Sequence, residues 1–218
     1  NEVVLSADQV WSTLPVTLLP GLVQAAVPQA VVDTAANLEF RAMILIYLAV
    51  AVDQFTEFDA HYFPQADVQI TRLSEPKNYA ERREPLGQTV ICAELPCRVA
   101  DATWNLSDEA LGALVARDLE TAGIPLPVPA FGVHVRRLRQ AYPIYREGYE
   151  GPFDTLTAWV AQLPALVTFG RQGLFAHDNT HHALAMAYGA VDCVDGLRFD
   201  AARWEHYLRR FATHVVED

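Results

Sequence analysis

Apolar positions along the chain change their spacing several times, and each change marks a predicted element. Residues 1–15 read as strand, turn, strand. Pro28 opens a short helix over residues 28–36. Residues 42–52 form an unbroken apolar run between Arg41 and Asp53, rich in β-branched side chains, as in a strand covered on both faces. Residues 68–73 and 89–95 read as two more strands, separated by the polar, proline-bearing loop 74–88, so the three predict an antiparallel meander.

The pattern then lengthens to helical spacing. Ser107 caps a helix with Asp108 and Glu109 in its first turn and an apolar stripe of Leu111, Leu114, Val115 and Leu119, ended by Gly123 and Pro125. Residues 131–139 predict a strand continuing to a turn at Pro143, and 153–163 a helix halted by Pro164. Residues 166–170 predict a strand that runs through a polar loop into a helix over 180–194. A last helix starts at Asp200 and puts Trp204, Tyr207, Leu208, Phe211 and Val215 on one face. The fold class expected is α+β: a mixed, largely antiparallel sheet of about five or six strands flanked by helices.

Composition narrows the function classes. The chain of 218 residues is 51% apolar and carries 16 basic against 27 acidic residues, a formal charge of -11. That charge repels a phosphate backbone, so nucleic acid is not an expected partner. The run 42–52 is about half the ~20 residues a membrane-spanning helix needs, so no membrane span is expected. Cys92, Cys97 and Cys193 match no thiol-metal spacing and read as reduced, buried thiols of a cytoplasm-like compartment. No targeting signal is visible, and the opening strands read as the middle of a larger protein, so a truncated fragment is expected.

Chemistry concentrates in FGRQGLFAHDNTHHALAMAYGAVDCV, residues 169–194. Gly170 and Arg171 stand between a strand and a helix. Exposed amides and the helix dipole attract phosphate at such a junction, and Arg171 adds charge-assisted bonds, while Gly170 and Gly173 let the backbone come close. The same residues also suit a plain cap by Asn179 or Thr180 with Arg171 paired to a surface carboxylate. His177, Asp178, His181 and His182 cluster here, with His177 and His181 at the i, i+4 spacing of a zinc helix. The glutamate of H-E-x-x-H is missing and no third ligand is visible, so no metal is expected. In TRLSEPKNY, residues 71–79, Arg72, Glu75 and Lys77 suit either a pocket for a polar or anionic substrate or a charge-guarded sheet edge. In VRRLRQAYPIYREGY, residues 135–149, Arg136, Arg137 and Arg139 are followed by Tyr142, Tyr145 and Tyr149, basic and aromatic side chains that together suit an interface or the wall of a cofactor pocket.

In their order these motifs resemble the C-terminal half of the FAD-dependent amine oxidase and protoporphyrinogen oxidase group, which includes UDP-galactopyranose mutase. VWSTLP, residues 10–15, is similar to the strand returning toward the dinucleotide domain, TRLSEPKNY and TVICAELPC to substrate-domain strands, and GRQGLF with HDNTHHALAMA to the closing flavin motif. The resemblance implies three segments. Residues 1–40 would lead out of an FAD domain, 41–165 would form a substrate-binding-type domain, and 166–218 would hold the flavin-motif strand, loop and helices. It further implies that Gly170 and Arg171 meet the FAD pyrophosphate and that Asn179, Thr180 and His181 approach the ribityl chain or ring. Arg72, Lys77, Arg137, Tyr142 and Tyr145 would then face substrate, with no catalytic residue assigned.

None of the 11 glycines makes a G-x-G-x-x-G, so the resemblance also implies that a missing N-terminal FAD-binding half holds the ADP and that this chain is inactive alone. The mutase carries an acidic pair where this chain has Asn179 and His181. Three functions follow: oxidation by FAD, flavin-dependent sugar-nucleotide isomerisation as in the mutase, or a non-catalytic binding and assembly module.

Overall fold

The computed structural model describes residues 3–24, 26–81, 84–163 and 165–216. The chain falls into two compact units, one made of Asn1–Phe40 with Tyr142–Asp218 and the other of Arg41–Ala141. Each has its own apolar interior.

Three short elements open the chain: β1 (Val10–Ser12), α1 (Leu19–Leu22) and α2 (Gln29–Asn37). Residues 3–9 form no strand, so the predicted strand-turn-strand opening reduces to β1. Five strands follow in one sheet, β2 (Phe40–Val50), β3 (Ala60–Tyr62), β4 (Arg72–Ser74), β5 (Thr89–Cys97) and, after helix α3 (Asp108–Thr121), β6 (Gly132–Pro143). Their order across the sheet is β3, β4, β5, β2, β6. β2 and β5 pair antiparallel from Ala42 opposite Cys97 to Val50 opposite Thr89, which lines Ile44, Ile46, Leu48, Ile91, Ala93 and Leu95 up in the core. β6 runs antiparallel beside β2, with Phe131 N donating to Ala49 O and Ile144 N to Glu39 O near its two ends, 2.9 and 2.8 Å.

Helix α3 closes this core with Leu111, Leu114, Val115 and Leu119, the stripe expected from its spacing. Ser107 Oγ accepts from Ala110 N at 3.2 Å, satisfying one of the amides a helix start leaves open. The buried Asp118 of α3 accepts from Gln69 N and Ile70 N, 2.7 and 2.9 Å. Those amides are therefore taken by a carboxylate, and the strand expected over 68–73 starts only at Arg72. Glu75, 1% exposed, accepts from Phe55 N, Thr56 N and Thr89 Oγ1, so it ties the loop after β2 together and lines no open pocket.

The remaining elements belong to the other unit. They are α4 (Glu150–Val160), β7 (Leu166–Thr168), α5 (Gly170–Gly173), α6 (Thr180–Asp192), β8 (Val194–Asp195), β9 (Arg198–Phe199) and α7 (Ala201–Phe211). Pro164, the expected stop of α4, lies outside the described residues. One core packs Leu156, Trp159 and Val160 of α4 on Val31 and Ala35 of α2, around Phe175; a second gathers Met186 and Ala190 of α6 with Trp204 and Phe211 of α7. Val215, expected on the α7 face, falls past the helix end and is exposed. All three cysteines are buried and free, and burial raises each thiol pKa. Among the described residues no helix is long and apolar enough to cross a membrane.

Candidate functional site

The Gly-Arg turn is built by a parallel strand pair. β1 and β7 align Val10 with Leu166 and Ser12 with Thr168, and the pairing ends where Phe169 N donates to Ser12 O at 3.1 Å. The chain then turns through Gly170 at φ 79°, a conformation that favours glycine. Gly173 is fixed by space: a Cβ there would stand 2.6 Å from Thr168 Oγ1. The segment expected as a polar loop after β7 contains the single turn α5, and the helix expected from Thr180 begins there, as α6, seven residues past it. One turn sums few peptide dipoles, so attraction for an anion at this junction falls chiefly to Arg171 and open amides.

Arg171 is half-buried, with its guanidinium 4.3 Å from the centre of the Tyr142 ring. Among the described residues its buried Nε has no hydrogen-bond partner. A planar cation stacked on an aromatic face, with a donor left over, is suited to receive an oxyanion.

Beside it, Tyr145 donates through its hydroxyl to Phe175 O at 3.1 Å and accepts from His177 N at 3.0 Å. His177 Nε2 lies 2.7 Å from Pro143 O, and because a carbonyl only accepts, that nitrogen carries the proton. The His177 ring stacks on Tyr142 at 5.9 Å, and Tyr145 stacks on Tyr149 at 4.5 Å. Phe175 sits under this cluster with φ 49°, an unusual value for a bulky residue, held by surrounding rings including Phe40 at 5.0 Å. Burial raises the pKa of Tyr145 and Tyr149, so both phenols stay neutral donors near pH 7.

Asn179, Thr180 and His181 form the start of α6. Asn179 is its N-cap, its O accepting from Ala183 N at 3.2 Å and its N donating to His182 Nδ1 at 3.2 Å. Thr180 and His181 are exposed in the first turn, where helix amides point outward. The i, i+4 spacing of His177 and His181 builds no metal cluster among the described residues, since His177 is bound to Pro143 O. Instead Asp178 meets His182 and, from the chain beyond α7, His214.

Three predicted site residues lie in the sheet unit. Arg72 pairs with Glu94 at 2.9 Å, reaches Tyr79 Oη at 3.4 Å and sits 5.8 Å over Tyr62. Burial disfavours its cation, but Glu94, Tyr62 and Tyr79 together outweigh that, and its pKa is raised. Lys77 Nζ donates to the carbonyls of Asp53, Pro85 and Gln88, 2.7 to 3.0 Å away, which uses all three of its protons. Arg137 donates to Trp104 O and Leu106 O at 2.9 and 2.6 Å and lies 3.6 Å from Asp108. Gly170, Arg171, Tyr142, Tyr145, Asn179, Thr180 and His181 belong to the other unit.

No protein-family model matches the sequence, and no curated protein matches it. Solved structures do. Reduced UDP-galactopyranose mutase aligns with a TM-score of 0.74 at 17% identity, covering 96% of this chain and 46% of that one. A protoporphyrinogen oxidase assigned in an Exiguobacterium species aligns at 0.56 and 19% identity, covering 94% and 41%. Putrescine oxidase bound to putrescine aligns at 0.53 and 14% identity, covering 77% and 38%. The chain thus spans less than half the length of each. At these identities the likeness establishes the fold: the chain is built as a part of the amine oxidase-like fold of those proteins, the group its sequence resembles.

Proposed function

We propose that this chain is the substrate-pocket and flavin-capping part of an FAD-dependent oxidoreductase of the amine oxidase type, working with a dinucleotide-binding part outside these 218 residues. The observation that carries the reading is the β1–β7 pair ending in Gly170 and Arg171, with the Arg171 guanidinium stacked on Tyr142 and its Nε unmet among the described residues. These residues fit the diphosphate of a flavin nucleotide: a positive φ brings backbone close, and among the described residues the cation has no carboxylate partner. Residues 1–40 and 166–218 then serve the flavin side, residues 41–165 the substrate side.

FAD supplies hydride acceptance and return, and the chain orients what reacts with it. Arg171 would hold the pyrophosphate, Gly170 would let it approach, and Asn179, Thr180 and His181 would lie on the side of the ribityl chain or ring. Tyr142 and Tyr145 offer rigid aromatic surface, and Arg72 offers charge to the substrate. Lys77 and Arg137 would each have to surrender carbonyl bonds to bind substrate. The chain alone is inactive in this reading.

A second reading is favoured by the TM-score of 0.74 to the mutase against 0.56 and 0.53 for the two oxidases: flavin-dependent isomerisation of a sugar nucleotide. In the full-length gene product, Arg171→Ala is expected to weaken FAD binding by roughly tenfold or more, the worth of a lost charge-assisted bond, while Arg72→Ala leaves it unchanged. Equal flavin affinity in wild type and Arg171→Ala would remove the basis for the assignment. Tight binding of a uridine diphosphate sugar, seen by calorimetry, would select the isomerase over the oxidase.

A further inference from the structure

Asp178 is 6% exposed, yet among the described residues its Oδ2 has no hydrogen-bond partner. Its ion-pair contacts are both imidazoles: His182 Nδ1 lies 3.3 Å from Oδ1 and His214 Nδ1 lies 3.6 Å from Oδ2. His214 Nδ1 is likewise buried and, among the described residues, without a hydrogen bond. One ligand atom from each of the three residues falls within a mutual spread of 4.8 Å. A buried carboxylate requires a counter-charge or donors, and His182 Nδ1, which already accepts from Asn179 N, does not donate to it.

From this cluster we propose a binding site for one divalent transition-metal ion of the zinc type, held by Asp178, His182 and His214. Two imidazole nitrogens and a carboxylate oxygen are the donor set such ions take, leaving a fourth position for water. Bonds of about 2.0–2.1 Å in a tetrahedron put neighbouring ligand atoms about 3.4 Å apart. The 3.3 and 3.6 Å separations, one from each oxygen of Asp178, are close to that edge, and with all three ligand atoms inside 4.8 Å a modest contraction completes the set. The two rings are stacked, 4.3 Å between centroids at 18°, so both lone pairs cannot reach one ion in plane until a ring turns. His214 is the ring to turn, because it follows the end of α7 and its Nδ1 has no bond to lose, whereas His182 exchanges the Asn179 amide for the ion. Bound there, the ion would pin the segment after α7 to the N-terminus of α6.

The site involves no flavin, so its test is independent of the proposed function. The 218-residue chain, stripped with chelator, is titrated with Zn²⁺ by calorimetry and with Co²⁺ by absorbance. One ion per chain, four-coordinate ligand-field bands, and a loss of more than about tenfold in affinity in both His214→Gln and Asp178→Asn are expected. His181→Ala, which removes the exposed neighbour at 4.0 Å from the His182 ring, should bind as wild type. No binding, or equal weakening by His181→Ala and His214→Gln, would overturn the proposal, the latter showing adventitious capture by surface histidines. Should Asp178→Asn fail to fold, His214→Gln decides.

Discussion

Single residues fix the geometry on which the site stands. Gly173 has backbone and a hydroxyl where a side chain would go, so Gly173→Ala is expected to cost about 1–3 kcal/mol through overpacking, whereas Gly151→Ala, with open space around it, should cost nothing. Urea unfolding of the two variants side by side checks this; equal midpoints would mean the Thr168 contact relaxes freely. Glu75 concentrates several bonds in one buried carboxylate. Truncation to alanine leaves those donors facing apolar surroundings, and a loss of about 3 kcal/mol or more is expected. Glu75→Gln keeps an acceptor and should lose less, and the reverse ranking would refute the role given to the charge.

At the scale of elements, what could be read in advance was what local pattern determines. The α3 stripe and its Ser107 cap, the α2 start at Pro28 and the strand-like runs of β2 and β5 follow from spacing and capping chemistry alone. Partners distant in sequence decided the rest. The alternation in residues 68–71 imitates a strand, yet the Gln69 and Ile70 amides go to Asp118 on α3, and nothing local announces that. The three-residue β3 is too short to show a period, and insertion of β2 between β5 and β6 is a matter of pairing. The Gly-Arg turn was visible as a motif, but the Arg171 and Tyr142 stack and the meeting of Asp178 with His214 were not. Asp118→Ala should therefore speed hydrogen exchange at Gln69 and Ile70 while leaving the β2–β5 ladder protected. Unchanged exchange at those two amides would contradict the assignment.

At the scale of the molecule, protonation and exposed apolar surface both have consequences. Burial raises the pKa of Cys92, Cys97, Cys193 and Tyr145, so the unfolded chain loses those protons first. Stability from these groups is whole below the unfolded thiol value of about 8.5 and drains as pH climbs past it. The melting temperature should hold from pH 7 to about 8 and then fall; a flat profile to pH 10 would refute this. Leu184, Tyr188 and Val191, at 55, 74 and 57% exposure, form an apolar stripe along α6. If the chain is one part of a larger flavoprotein, that stripe has a partner elsewhere, and the chain alone should self-associate in sedimentation, less so for Tyr188→Lys.

The flavin role proposed for this chain is open to a single decisive experiment. Its most direct test is the absorbance spectrum, between about 300 and 550 nm, where flavin cofactors absorb, of the full-length gene product purified with added FAD and freed of unbound cofactor. Flavin bands are expected to survive in the wild type and to fade in Arg171→Ala. A colourless full-length protein, releasing no flavin on heating, would contradict it and leave the amine oxidase-like fold in the service of binding or assembly.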